Sequence, residues 1–348
     1  MNWKNQLQHM AVSLITIVLI NLALISCSSW QINESTQTPA PTQIPTANTA
    51  MPILSPLGRN LKLYVDKPVL PLGPSGGWDS LQLDPGAVVF HDGEFHMFYN
   101  ANSSWPSANA VGYAVSPDGI TWTRVVTQPV FTLENIHWQL MPENIQANSV
   151  LVDGDTWVLY FSASDAVGRL TGVVGRATAS SPTGPWIVDS EPVLRPGEPS
   201  EWDAWVVGHV DVINSGKDYV MYYTSSKGIG MAMSPDGIKW TKYNDPATTK
   251  TDFAKSDPVL NKPTADDPNV QQTSWGWAMI FRYEDELNYA TSLDGIHWTE
   301  SPDNPMVDLA GKVIWYSDFV IHDDMAFLYF EAGAGSNSPY LATWIETP

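Results

Sequence analysis

The order of apolar and polar positions divides the chain into three unlike stretches. Residues 11–26, AVSLITIVLINLALIS, form an uncharged, strongly apolar run with Lys4 as the only formal charge ahead of it. From Ser28 to about residue 60 the pattern reverses. Ser, Thr, Pro, Gln and Asn dominate there, a composition that stays extended and solvated rather than building a core. From residue 61 onwards apolar and aromatic residues come in short runs, such as His96-Met-Phe-Tyr99, Trp157-Val-Leu-Tyr160 and Tyr219-Val-Met-Tyr-Tyr223. Asp-Gly pairs, prolines and glycines separate them, so the runs predict strands and the breaks predict tight turns. Outside residues 11–26 no segment holds a helical period for ten or more residues.

The strand-rich part repeats. Ser116-Pro-Asp-Gly-Ile-Thr-Trp122, Ser234-Pro-Asp-Gly-Ile-Lys-Trp240 and Ser292-Leu-Asp-Gly-Ile-His-Trp298 match position for position, and Ser181-Pro-Thr-Gly-Pro-Trp186 is a shortened relative. Gly tolerates the positive φ of a hairpin turn and Asp bonds its own backbone, so each copy predicts a turn with a Trp packed over it. Ser234 to Ser292 is 58 residues, and Ser116 to Ser234 is 118, two such units with the shortened copy between them. The stretch 61–348 therefore holds about five units. Four short strands in each predict an all-β fold, a five-bladed β-propeller of four-stranded antiparallel blades. The last unit lacks a fourth strand of its own, while Leu61-Lys-Leu-Tyr-Val65 has no partner at the start. That N-terminal strand is expected to close the ring as the outer strand of the last blade.

The N-terminal stretches read as an address. A short basic start and an apolar run make a secretory signal. Leu24-Ile25-Ser26-Cys27 resembles the bacterial lipobox, which implies cleavage before Cys27 and lipidation of Cys27, the single cysteine of the chain. A plain signal peptide or a membrane anchor would share the apolar run; the position of the one cysteine favours the lipobox. The expected layout is a lipoprotein signal peptide at 1–26, a lipidated Cys27 and polar tether at 27–60, and the propeller at 61–348. The expected location is the extracytoplasmic or outer surface of a bacterial membrane, held there through the lipid alone.

Composition narrows the function classes. With 17 Lys+Arg against 37 Asp+Glu the formal charge is −20, which repels phosphate backbones and disfavours nucleic acid as a partner. One cysteine makes neither an intrachain disulfide nor a cysteine zinc cluster. There is no phosphate loop, HExxH pair or GxSxG elbow. No cofactor is expected, and nothing in the sequence indicates a metal ion at the propeller axis. Arginine is scarce, which argues against a phosphorolytic site built on a basic anion pocket.

Asp84-Pro85-Gly-Ala-Val-Val-Phe-His-Asp-Gly93, leading into Phe95-His-Met-Phe-Tyr99, together with Ser181-Pro-Thr-Gly-Pro-Trp186 and the count of five units, resembles the five-bladed propeller glycosidases of the arabinanase, levansucrase and invertase superfamily. The resemblance implies an oligo- or polysaccharide partner, a monomer, and cleavage of glycosidic bonds by carboxyl groups on the innermost strands. Such cleavage needs one carboxyl to protonate the leaving oxygen and another to activate water or attack the sugar. Asp84 is expected as the first acid; as an Asp-Pro pair it also fits a turn. Counting back from the hairpin turns places Ala87, Asn148, Asp211 and Asp318 at one depth of the inner strands. Asp211 is a second catalytic candidate. Asn148 falls where the family carries its second acid, and an amide holds no charge. Either Glu143, in Pro142-Glu-Asn-Ile-Gln146, reaches in from the preceding loop, or the site departs from the usual triad. Asn148, His209, Trp275 and Asp318 are expected to contact substrate, although His209 also fits a satisfied core histidine. Asp266-Asp267-Pro268 reads as a turn leading into the fourth unit. Asp79 and Asp203, repeated after Trp in two units, read as structural. The alternative function is a carbohydrate-binding propeller without catalysis.

The lipobox generates a direct test. Intact mass of the membrane-extracted protein is expected to show an acylated N-terminus at Cys27. A Cys27→Ala protein that is processed and anchored like wild type overturns the assignment.

Overall fold

The computed structural model describes residues 62–63, 67–103, 110–139, 141–164, 172–249, 255–306, 314–323, 325–332 and 338–345. Cys27, the apolar run before it and the polar stretch to residue 60 lie outside the described residues.

Strand β1 (Lys62–Leu63) precedes the first blade. Blade 1 is β2 (Gln82–His91), β3 (Glu94–Asn102), β4 (Ala110–Ser116) and β5 (Thr123–Arg124), with β6 (Phe131–Thr132) on the free stretch of β4. Blade 2 is β7 (Asn144–Asp153), β8 (Thr156–Ser164), β9 (Val173–Ala179) and β10 (Ile187–Val188). Blade 3 is β11 (Gly208–Asn214), β12 (Tyr219–Ser225), β13 (Gly228–Ser234) and β14 (Thr241–Lys242), with β15 (Pro258–Leu260) on β13. Blade 4 is β16 (Asp266–Thr273), β17 (Gly276–Tyr283), β18 (Glu286–Ser292) and β19 (Thr299–Glu300). Blade 5 is β20 (Ile314–His322), β21 (Met325–Ala332) and β22 (Ser338–Ile345). Its fourth strand is β1, which pairs Lys62 with Thr343 and Leu63 with Ala342 in antiparallel register. The fold is the five-bladed propeller expected, with the ring closed by the N-terminal strand.

Five apolar clusters hold the described blades together, one in each gap between neighbours. The second strand of each blade is buried on both faces and contributes the largest rings, including Tyr99, Tyr160, Tyr222, Tyr223 and Tyr329. Asp79 and Asp203 are structural. Asp79 pairs with Arg124 at 3.0 Å and Asp203 with Lys242 at 2.5 Å, and each cation also lies over a tyrosine ring, Tyr99 or Tyr223.

The repeated Asp-Gly turn joins blades as well as strands. In each full copy the Asp side chain accepts the N–H groups two and three residues on, and the turn glycine carbonyl accepts a hydroxyl from the preceding blade. Tyr329 bonds Gly119, Tyr160 bonds Gly237 and Tyr222 bonds Gly295, at 2.7–2.8 Å. These tyrosines sit at one register position, opposite Asp318, Ser149 and Asp211. At that position Phe98 faces the shortened turn, where Trp186 meets it edge-on at 5.6 Å, and Ile280 faces blade 5, which has no copy. The hydroxyl occurs where a turn carbonyl exists to receive it.

A second set of bonds runs around the axis. Asn100, Ser162 and Thr224, equivalent in the second strands, accept the backbone N–H of Ala147, His209 and Asp267 in the next blade. One layer deeper, Ser149 accepts from Val212 N–H, Asp211 from Val270 and Asp318 from Val88. Asp267 accepts from Ser317, so every neighbouring pair of blades is joined.

The Tyr–Gly contact sets a prediction. Tyr222→Phe keeps the ring and removes one of the two donors to the buried Gly295 carbonyl, the other being Trp298 Nε1, which should cost about 0.5–1.5 kcal/mol in urea unfolding. A stability equal to wild type overturns the role given to the hydroxyl.

Candidate functional site

Each inner strand loses register once, close to its starting end. The breaks fall between Asp84 and Ala87, Ala147 and Ser149, Gly208 and Val210, Asp266 and Asn269, and Ile314 and Ser317. A bulge inserts residues without a partner and re-aims side chains, here around one mouth of the axis. Gly86, His209 and Asp267 adopt left-handed φ angles of 58°, 37° and 53° within these bulges. At Gly86 a Cβ would come within 2.0 Å of the Phe98 carbonyl oxygen, so only glycine fits.

The bulges also change which residues share a depth. Ala87, Ser149, Asp211, Asn269 and Asp318 stand level, opposite Phe98, Tyr160, Tyr222, Ile280 and Tyr329. Asn148 is the extra residue of its bulge. Its carbonyl oxygen accepts from Ser162 N–H at 2.9 Å and Ser162 Oγ at 2.5 Å, within its own blade. Counting back from the turn misplaces Asn148 by one residue, because the blade 1 hairpin closes on His91 and Glu94 and leaves Asp92 in the turn, whereas the blade 2 hairpin closes on Asp153 and Thr156 and takes the aspartate into the strand.

Asp84 is buried at the mouth. Its Oδ1 accepts from Asn100 Nδ2 at 2.7 Å and from Gly86 N–H at 3.2 Å. Burial pushes its carboxyl up to about 7, against the Asn100 bond that favours the carboxylate and with the negative charge of Asp267 behind it. Across the mouth, His209 joins two blades. Its Nδ1 meets Asp266 Oδ1 at 2.7 Å and its Nε2 meets Gln146 Oε1 at 3.0 Å. Two acceptors on two ring nitrogens suit the doubly protonated imidazolium. Burial opposes that charge, but Asp266 outweighs it and raises His209 to about 9. Arg282 Nη2 reaches the other oxygen of Asp266 at 2.5 Å. Burial disfavours the Asp266 carboxylate, yet His209 and Arg282 hold it far below the usual range. Tyr316, from the blade 5 bulge, sets its ring edge-on to His209 at 5.3 Å and bonds Gln146.

Asp266-Asp267-Pro268 is thus no turn. It opens inner strand β16, and Asp266 and Asp267 belong to the charged cluster. Burial raises Asp267 to about 6, with His209 pulling it down and Asp266 pushing it up. Asp84-Pro85 and Asp267-Pro268 both fall at a register break, where Pro85-Gly86 and Asp267-Pro268 are the unpaired residues, so Asp266 stands at the depth of Asp84 and Asp267 one position on. That repetition was the available signal. Gln146, Asn100, Arg282 and Tyr316 carried none, because their roles depend on register between strands.

The remaining candidates scatter. Glu143 is exposed just before β7, its N–H on the Ser164 carbonyl. Asp211 lies one layer below the mouth, with Ser149 Oγ at 3.0 Å and Val270 N–H at 2.7 Å on its two oxygens. Asp318 is level with it and holds Val88 N–H at 2.5 Å and Phe319 N–H at 2.8 Å. Burial raises Asp211 to about 6 and Asp318 well above the carboxylate range, the latter helped by the charge of Asp211. Trp275 is in the β16–β17 hairpin, roughly 20 Å along the strand from Asp267 at 3.3 Å per residue. Two tryptophans near the mouth end are open instead: Trp205, 66% exposed, and Trp315, 42% exposed in the blade 5 bulge.

A cavity of about 280 Å³ opens beside the cluster between blades 2 and 3, lined by Asn144, Gln146, Ser162, Ser164, His209 and Asp266 among others. At the opposite end of the axis a cavity of about 380 Å³ has Asp211, Asp318 and Ser149 in its wall and apolar residues such as Phe90, Leu151 and Ile213. Among the described residues no group of three or more His, Cys, Asp or Glu is placed to hold a metal ion.

No family model matches the chain. An uncharacterised protein of Mycobacterium tuberculosis is 27% identical over 180 residues, 46% of this chain and 58% of that protein, so the chain spans little more than half the length of such relatives. A 1,2-β-oligomannan phosphorylase of Thermoanaerobacter is 31% identical over 111 residues, 30% of this chain and 36% of that enzyme. Among solved structures, a family 117 glycoside hydrolase from Zobellia galactanivorans superposes with a TM-score of 0.62 at 16% identity, covering 82% of this chain and 90% of that one. A family 43 enzyme of Xanthomonas citri complexed with xylose gives 0.56 at 13%, covering 83% and 92%. At such identities these structures establish the shared fold.

The raised carboxyls fix a sign for stability against pH. A carboxyl whose folded pKa exceeds its unfolded value stabilises the fold below that unfolded value and loses the contribution as pH rises through the folded one. Asp84, Asp211, Asp267 and Asp318 all act in this sense, and His209 does so up to about 9. Asp266 acts oppositely, but its contribution is lost only in strong acid. The melting temperature is expected to be higher at pH 5 than at pH 8. Calorimetry showing the reverse overturns the burial of these acids.

Proposed function

We propose that this protein is a glycoside hydrolase acting on an oligo- or polysaccharide at the mouth of the propeller axis, outside the cytoplasm, on a chain anchored through a lipid on Cys27. The observation that carries the reading is Asp84. It is a buried acid with a pKa pushed to about 7, at an open mouth, with a second carboxyl close enough to act on its charge. Cleavage needs one carboxyl that still holds a proton near neutral pH and one that has lost it. Asp84 protonates the departing glycosidic oxygen as the bond to the sugar breaks. Asp267, about a unit lower, takes the proton of the incoming water. Asp266, held ionised between His209 and Arg282, fixes both cations beside Asp267 and so favours the carboxylate of Asp267. The cavity beside the cluster presents hydroxyl and amide groups suited to sugar hydroxyls, and Trp205 and Trp315 offer open aromatic faces. The hydrolase names carried by proteins of the same fold, and the carbohydrate named for the phosphorylase relative, point the same way.

A second reading, a carbohydrate-binding propeller without turnover, is favoured by one observation. Where the resemblance implies an acid in blade 2, neither Asn148, an amide tied to Ser162, nor Ser149, which stands at the counted depth, is one, and Glu143 stands exposed before the strand.

A glycan panel assayed for hydrolysis, with and without inorganic phosphate, and for binding by calorimetry separates the readings. Hydrolysis that needs no phosphate is expected. Asp84→Asn should keep the fold and lose about 10²–10⁴-fold in turnover. Affinity without turnover in the wild type supports the binding module, phosphate-dependent release of a sugar phosphate replaces water as acceptor, and turnover that survives Asp84→Asn removes Asp84 from the mechanism.

A further inference from the structure

We infer that Asn100 is the positioning residue of Asp84, and that its one amide couples this acid to the contact between blades 1 and 2. The inference rests on the reading of Asp84 as the proton-transfer group. Positions 100, 162 and 224 are equivalent, and each accepts a backbone N–H of the next blade: Ala147 at 2.7 Å, His209 at 2.7 Å and Asp267 at 3.0 Å. Ser162 and Thr224 do so with a hydroxyl oxygen. Asn100 alone of the three is an amide, and an amide brings two further donors. One goes back to the Ala147 carbonyl at 3.0 Å, and the other to Asp84 Oδ1 at 2.7 Å.

The bonds fix the orientation of the group. Turning the amide over would set its oxygen against the Ala147 carbonyl and the Asp84 carboxyl, acceptor against acceptor, in a site that is almost fully buried. Asn100 therefore always shows Asp84 an N–H. Because Gly86 N–H also points at Oδ1, that oxygen is the one that stays a pure acceptor. The proton of Asp84 resides on Oδ2, and Oδ2 is the oxygen that delivers it. Asn100 thereby holds the carboxyl, selects the oxygen that reacts and offsets part of the effect of burial, while gripping the neighbouring blade with the same amide.

The test is Asn100→Ser, which puts at position 100 the residue that occupies 162. It keeps an acceptor for Ala147 N–H and removes the donor to Asp84. The titration of the Asp84 carboxyl carbon is read by ¹³C NMR in aspartate-labelled protein, assigned by its absence in Asp84→Asn, with thermal melting as the fold control. A folded Asn100→Ser should show the Asp84 midpoint raised by about one to two pH units, the size of a charge-assisted hydrogen bond. The acid limb of any turnover profile should move with it. Tyr222→Phe removes a bond between blades away from the mouth and should leave the Asp84 midpoint where it is. If Asn100→Ser does not fold, Asn100→Thr, with the residue of position 224, takes its place. An unmoved midpoint in a folded variant, or an equal displacement in Tyr222→Phe, overturns the inference. The titration needs no substrate, so a displaced midpoint in a protein that cleaves no glycan leaves Asn100 in place and removes only the hydrolase reading.

Discussion

The inner strands of the five blades run side by side at the axis without pairing with one another. Each keeps one edge paired to its own blade and turns the other toward the centre, where its N–H groups have no strand to receive them. A buried N–H without an acceptor costs on the order of 1–3 kcal/mol, and an open edge invites another chain. The protein answers with side chains. Asn100, Ser149, Ser162, Asp211, Thr224, Asp267 and Asp318 each accept an amide of the next blade, and together they go round the whole ring. The propeller is closed by these bonds as much as by β1 on β22.

That constraint explains why so many acids sit near the axis and why proximity to it does not identify a site. Asp211 and Asp318 are buried with both oxygens on donors from the protein itself. Their charges oppose each other, and burial moves both carboxyls upward. At the mouth the arrangement differs. Asp84 retains one oxygen for which no protein donor is seen among the described residues, while Asp266 is locked between His209 and Arg282. Closely spaced carboxyls thus have unlike proton affinities, set by what the bulges bring beside them.

The same economy appears at the outer part of each blade. The Asp-Gly turn with its Trp is a local device, fixed by hydrogen bonds within seven residues. Its glycine carbonyl becomes a contact between blades only when the preceding blade offers a tyrosine. Phe98 and Ile280 fill that position where the turn is shortened or missing. The residue at this position in each blade thus matches the turn that the next blade presents to it.

Local signals carried most of the fold. The Asp-Gly-x-x-Trp copies, their spacing and the unpaired Leu61–Val65 segment determined the number of blades, their antiparallel strands and the closure of the ring, because turn chemistry and hydrophobic alternation act within a few residues. Asp84 was also legible, as an Asp-Pro pair, while the second pair, Asp267-Pro268, reads in sequence as a turn and in the fold marks the blade 4 bulge. Tertiary structure decided the rest of the site. The hairpin register takes Asp153 into its strand where blade 1 leaves Asp92 in the turn, and so sets Ser149 rather than Asn148 at the counted depth. A bulge swings His209 into a left-handed conformation between Gln146 and Asp266, residues 63 and 57 positions away. Asp211 looks in sequence like a pocket acid and in the fold receives the amide of Val270. A bulge leaves no mark on hydrophobic periodicity, and the partner of a buried carboxyl is chosen across blades, so neither can be read along the chain.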